Sequence, residues 1–261
     1  MENSTLLPSN QVLIFDVESE YGHFRKFNTT TSPLTYSIPT RPAIAGLIGA
    51  ILGIEREVSA ENFREGVTPV AELFTKEKAS FAVQIINPTK KVNIGFNLLD
   101  TEKTASSFFN VKQRTQIEFE LLKNPKFRIY VSLKDSILFS TLVEKVRLNQ
   151  SHFTPYLGLS QFTASTKFIR IVNVSKSQSA ECQEVLTAVN LNNADTDNPI
   201  EFDYTVNSGF KYTSDTMPIE MQANRIVTEY SEVIIETSGK PIKVKSDKIF
   251  FLEDIGNIIF L

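Results

Sequence analysis

The sequence predicts an α+β fold, on three observations. Apolar, β-rich runs alternate with two helix-spaced patterns in the order strand, helix, strand, insertion, strand, helix, strand, which reads as a ferredoxin-like unit. Short strand patterns separated by turn residues follow and predict a mostly β C-terminal part. The chain has 261 residues, 41% apolar and 22% charged, enough for a real hydrophobic core. The expected division is 1–175, carrying an insertion at about 87–125, followed by 176–261.

The elements follow in order. Gln11 to Val17 (QVLIFDV) is a buried strand pattern. A polar loop from Glu18 to Thr40 leads into TRPAIAGLIGAILGIER, with Thr40 placed as N-cap and Pro42 in the first turn, where its missing N–H costs nothing. The helix is expected over Arg41–Arg56. Strands are expected at Phe81–Ile86, Lys126–Leu133 and Phe168–Val174, and a helix at Ile137–Leu148. Asn87 to Pro125 is too long for a hairpin loop and calls for structure or a partner of its own. Asn190 to Pro199 is turn-rich. Later strands are expected at Ile226–Thr228, Glu232–Glu236 and Lys248–Leu252, with a turn near Glu253–Asn257 before Ile258–Leu261.

With 30 acids against 27 Lys and Arg, the net charge of −3 argues against a nucleic-acid partner. Local clusters matter more, because fields are screened within about 10 Å. Lys103 to Arg128 holds six basic residues and two acids. The one cysteine, Cys182, cannot form an intrachain disulfide and fits a reducing compartment. Met1 to Asn10 lacks the features of a signal peptide, and Pro42 to Ile54 is short of the roughly 20 residues of a membrane span, so a cytoplasmic protein is expected. No cofactor motif or Cys/His metal spacing is present, so neither a cofactor nor a metal is expected.

The segment Phe15 to Arg56 carries three elements in combination: His23-Phe24-Arg25, then Tyr36-Ser37-Ile38-Pro39, then Gly46-Leu47-Ile48-Gly49-Ala50-Ile51-Leu52-Gly53. This resembles the N-terminal signature of the CRISPR-associated Cas-five family, within the RAMP superfamily. Asn124–Val131 (NPKFRIYV) and Pro155–Phe162 (PYLGLSQF) are similar to later elements of it. The resemblance implies an RRM-like, ferredoxin-like domain with an inserted thumb hairpin, for which Asn87–Pro125 stands in the right place. It implies a subunit of a type I effector (Cascade) complex in antiviral defence, with subtype I-B suggested. Such a subunit caps the 5′ handle of the guide RNA (crRNA) and touches the first backbone subunit and the large subunit. It meets target DNA indirectly and meets no membrane.

The residues have their own chemistry. The loop Tyr21-Gly22-His23-Phe24-Arg25-Lys26 mixes rings and cations, a mixture suited to single-stranded RNA. Tyr21, His23, Arg25 and Lys26 are therefore candidate RNA contacts, while Phe24 is expected in the core. Arg41 at the helix N-terminus adds a full charge to the positive dipole end and is a candidate phosphate ligand. Arg25, Lys26 and Arg41 are expected to converge at one end of the domain. Lys112, Gln113 and Arg114 in the insertion are candidates to close over the RNA. The small residues Ala45, Gly46, Gly49, Ala50 and Gly53 call for close approach: Gly49 and Gly53 are expected to pack within the chain, and Gly46 is left open to RNA or a partner. Lys240, Lys243, Lys245 and Lys248 read as the exposed face of an edge strand.

No RNP1-type aromatic run is present, so base stacking on the sheet is not expected. A non-catalytic RNA-binding subunit is the leading expectation. A metal-independent endoribonuclease is the alternative, since one branch of the family cuts the guide precursor. That branch is associated with a Tyr and a Lys–His pair, and here Gln113 follows Lys112. An α+β protein unrelated to RNA is the third reading.

Overall fold

The computed structural model describes residues 9–27, 33–55, 66–99, 114–177, 181–193, 200–203 and 209–261. In chain order the elements are β1 (Gln11–Glu18), β2 (Tyr21–Gly22), α1 (Arg41–Leu52), α2 (Val70–Leu73), β3 (Ala79–Ile85), β4 (Lys91–Leu99), β5 (Arg114–Lys123), β6 (Lys126–Leu133), α3 (Ser136–Arg147) and β7 (Ser165–Lys176). They continue with β8 (Gln183–Val185), β9 (Val189–Asn190), β10 (Glu201–Phe202), β11 (Tyr212–Met221), β12 (Val227–Glu236), β13 (Ile242–Lys245), β14 (Phe250–Leu252) and β15 (Gly256–Ile258).

A nine-stranded sheet runs in the order β10-β13-β8-β15-β14-β7-β1-β6-β3. It joins strands from before and after residue 175. Within it β7, β1, β6 and β3 each run antiparallel to their neighbours, with Leu13 opposite Val131 and Phe81 also opposite Val131. The alternation of β1 divides the interior into two layers. Leu13, Phe15 and Val17 face α1 and α3 and pack with Ile44, Ile48, Leu142 and Val146. Val12 and Ile14 face the other way and pack with Tyr130, Leu252, Ile258 and Phe260. The chain's own C-terminal segment thus covers much of the sheet face opposite the helices.

Helix α1 forms where expected at its start: the Thr40 hydroxyl accepts from the Ala43 N–H at 3.3 Å, a cap worth about 1 kcal/mol, and Pro42 lies in the first turn. It ends at Leu52, earlier than the expected Arg56. Gly53 turns left-handed (φ 85°), and its N–H closes on the Gly49 carbonyl at 2.8 Å. Helix α3 is capped by Asp135, whose carboxylate accepts from the N–H groups of Ile137 and Leu138.

The insertion is a long antiparallel pair, β4 with β5, extended by β2 into a three-stranded sheet ordered β2-β5-β4. Its tip, including Lys112 and Gln113, lies outside the described residues. The expected strands at Ile226–Thr228 and Glu232–Glu236 form one strand, β12, paired with β11 and β9. β13 is not an edge strand. It lies between β10 and β8, with Lys243 and Lys245 alternating outward. Among the described residues no helix is long and apolar enough to cross a membrane.

Candidate nucleic-acid interface

The loop after β1 is far more constrained than its composition suggests. Tyr21 pairs with Lys123 of β5, and its ring lies 5.8 Å from that of Phe162. His23 is 2% exposed. Its N–H donates to the Leu157 carbonyl at 3.0 Å, and Nδ1 donates to the Glu120 carbonyl at 2.8 Å. Its ring meets Phe119 edge-on. Burial holds its pKa below the usual 6.5, so the ring is neutral at pH 7. His23 is therefore not a surface RNA contact but a clamp between the loop, β5 and the segment around Leu157. Phe24 is in the core, as expected.

Two further expectations are corrected by the same accounting. Lys26 is ion-paired with Asp215 of β11 and lies 5.5 Å over the Tyr36 ring. Arg41 is 3% exposed. Its guanidinium donates to the carbonyls of Phe74 (3.0 Å), Ala79 (2.8 Å) and Ile219 (3.3 Å), and it stacks on Phe81. Burial lowers its pKa to about 10, still well charged at pH 7. The guanidinium is thus committed to carbonyls of its own chain, although Arg41 also borders a groove along α1. The three cations do not converge on an open site: Lys26 and Arg41 both hold β11, while Arg25 is the exposed one, bridged to Thr35 through its backbone.

The basic count of Lys103–Arg128 is also partly offset. Lys126 pairs with Glu18 at 2.7 Å, and Arg128 makes two bonds to the Asp16 carboxylate. Lys91 pairs with Glu120. Lys123 is exposed. Arg114 starts β5, opposite Leu99.

The open feature lies elsewhere. A groove of about 760 Å³ runs along α1, between it, the segment 153–158 and the tip of the β11–β12 hairpin. Pro42, Gly46 and Ala50 form its floor, and Phe153 and Tyr156, 44% and 45% exposed, stand in its wall. Arg225, exposed at the hairpin turn, also lines it. The helix glycines divide as expected. A Cβ at Gly49 would stand 2.6 Å from Val70, and one at Gly53 would stand 2.6 Å from His152. A Cβ at Gly46 meets nothing within 4 Å, so intramolecular packing does not require glycine there. Sequence reasoning missed Phe153 and Arg225; the signal for Tyr156 was its place in PYLGLSQF. Among the described residues no His, Cys, Asp and Glu cluster is suited to a metal ion.

The fold and site together define an α+β protein with an aromatic-walled groove beside a glycine-bearing helix and a long inserted hairpin. The family described as CRISPR-associated protein (Cas_Cas5) matches residues 12–225, and the chain belongs to it. Among solved structures, the chain is similar to a CRISPR protein from Archaeoglobus fulgidus, at 11% identity, 96% coverage of this chain, 98% of that one and a TM-score of 0.53. It also matches a chain of a CRISPR RNA-guided surveillance complex, at 11% identity, 90% and 91% coverage and a TM-score of 0.48. A chain of the type III-B Cmr-beta complex bound to cognate target RNA matches at 14% identity, 89% and 86% coverage and a TM-score of 0.49. No curated protein matches the sequence.

Proposed function

We propose that this chain is a non-catalytic subunit of a type I CRISPR effector complex, holding the 5′ handle of the guide RNA through the groove along α1. The observation that carries the reading is family membership across residues 12–225. The strand order β7-β1-β6-β3 with two helices on one face supports a ferredoxin-like core. Phe153 and Tyr156 offer ring faces to unstacked bases, and Gly46 lets a backbone come close. Arg25 and Arg225 are exposed cations suited to phosphate. The partners in this reading are the guide RNA, the first backbone subunit and the large subunit, with target DNA met indirectly. The burial of His23 and the pairing of Lys26 support the non-cutting role, since neither offers an open base or cation to a scissile phosphate.

The test is co-expression with the neighbouring subunits and a repeat–spacer RNA, followed by measurement of RNA per purified complex. Base–ring stacking contributes about 1–3 kcal/mol per base, so Phe153→Ala with Tyr156→Ala should lower guide retention by roughly 10²-fold. Lys240→Ala with Lys243→Ala should retain the guide. Full retention in the groove variant overturns the placement. A wild-type complex free of RNA overturns the function, and a discrete handle product from precursor RNA with purified protein overturns the non-catalytic assignment.

A further inference from the structure

An exposed ring is a better stacking surface when something holds it still, because a side chain otherwise samples about three staggered wells. The two rings in the groove wall are held in different ways. Tyr156 sits at the base of a tight turn. It bridges to Thr163, and the Leu157 N–H donates to the Phe162 carbonyl at 2.9 Å. Gly158 lies so close to the His23 carbonyl that a Cβ there would stand 1.7 Å from its oxygen. Phe153 belongs to no helix, strand or bridge of its own.

The backbone of Phe153 is tied to the end of α1. The His152 N–H donates to the Ile51 carbonyl at 3.1 Å and the Phe153 N–H to the Ala50 carbonyl at 2.9 Å, satisfying carbonyls that a helix end leaves open. The His152 side chain then lies against Gly53: a Cβ on that glycine would stand 2.6 Å from its Cγ and 2.9 Å from its Nδ1. The left-handed turn at Gly53 already favours glycine, and the ring contact is a second, independent reason for it. From that seat the imidazole meets the Phe153 ring edge-on, with centroids 4.6 Å apart at 79°. Phe153, Thr154 and Tyr156 line the groove, whereas His152 is not part of its lining.

We propose that His152 is a positioning residue of the groove. Seated between Gly53 and Phe153, it holds the Phe153 ring as a fixed face for an unstacked nucleobase and does not touch the RNA itself. The inference rests on the guide-RNA reading and names the residue that prepares one of its two rings. A ring kept in one well before the base arrives spares binding the cost of ordering it, a factor of about three in retention. The contact is made by shape and ring edge, not by charge. Another flat ring should therefore replace the imidazole, and an amide should not.

The test is the rate at which labelled guide RNA leaves the purified, co-expressed complex. His152→Ala should speed release by about threefold, His152→Phe should restore the wild-type rate, and His152→Gln should not. The loss should vanish in a Phe153→Ala background and persist in a Tyr156→Ala background, because only the first pair acts through one ring. Rescue by Gln and not by Phe, or an equal added loss in both backgrounds, makes His152 a direct RNA ligand and overturns the proposal. A second readout needs no RNA. The chain contains no Trp, so Phe153→Trp places a single fluorophore in the wall. Its anisotropy in the full chain should fall when His152→Ala is added and recover with His152→Phe. Unchanged anisotropy overturns the positioning role whatever the RNA result. A wild-type complex free of RNA, with the anisotropy responding as expected, overturns the guide-RNA reading and leaves His152 as the holder of that ring.

Discussion

Two long hairpins whose paired strands are almost equal in length are treated in opposite ways. β11–β12 is fastened to the body: Met217, Ile219, Val233 and Ile235 sink into the main core, and three side chains from the 26–41 region reach it. Lys26 pairs with Asp215, the Tyr36 hydroxyl donates to the Thr216 carbonyl at 2.8 Å, and Arg41 donates to the Ile219 carbonyl. Among the described residues, β4–β5 is fastened at its base, where Leu121 and Leu122 are buried and His23 grips the Glu120 carbonyl. Beyond that point its apolar face is half-covered and its edge open. The first hairpin is a wall of the molecule; the second is an arm. Cations that look like ligands in the sequence are, for the first hairpin, its fasteners.

The comparison can be broken most directly at Arg41. Arg41→Ala leaves the carbonyls of Phe74, Ala79 and Ile219 without this donor inside the protein, and should cost on the order of 3 kcal/mol in urea unfolding. Proteolysis should then open β11–β12 before β4–β5. An unchanged urea midpoint would mean that the wall is held by packing alone.

Gly49→Leu tests the helix on which that wall leans. The side chain would collide with Val70, so overpacking should cost about 1–3 kcal/mol. Gly46→Ala, with open space around it, should raise helix stability and leave the melting temperature equal or higher.

Acid should loosen the arm at its base. The folded pKa of His23 lies below the unfolded value of 6.5, so below pH 6.5 the unfolded chain binds a proton that the folded chain resists. The neutral ring's contribution is complete above pH 6.5 and falls away as pH drops through that value toward the folded pKa. Hydrogen exchange of the β5 amides near Glu120 should quicken between pH 7 and 5, after correction for intrinsic rates. His23→Gln should flatten that dependence; an identical profile would assign it to other groups.

Lys26→Ala should cost less, about 0.5–1 kcal/mol, since the ion pair is partly solvated. Phe96→Lys should have the smallest effect on unfolding, within about 0.5 kcal/mol, because the arm's face is only half-covered. A large loss there would show that the arm is packed as firmly as the wall.

Much of the scaffold was legible in order and pattern. β1, β6 and α3 fall within a residue or two of expectation, because each carries an unambiguous period and a cap or turn at its end. The start of α1 was written in Thr40 and Pro42, and the packing of Gly49 in its spacing. The family signature rested on local motifs, which survive in a single sequence. The site was far less legible. A cation at a helix start reads identically whether it faces solvent or a carbonyl 178 residues away, as Arg41 does. Phe153 gave no signal because one exposed ring carries no period.

By itself, then, the sequence determined the α+β order of β1, α1, β3, β6, α3 and β7, the presence of an insertion between β3 and β6, and the family, all read from patterns close along the chain, whereas β4, β5 and β11 were not legible as strands. Tertiary structure alone decided which charges are spent inside, which edge is left open and which helix face becomes a groove. Those outcomes depend on desolvation and pairing between residues far apart in sequence, and no local pattern encodes where the two will meet.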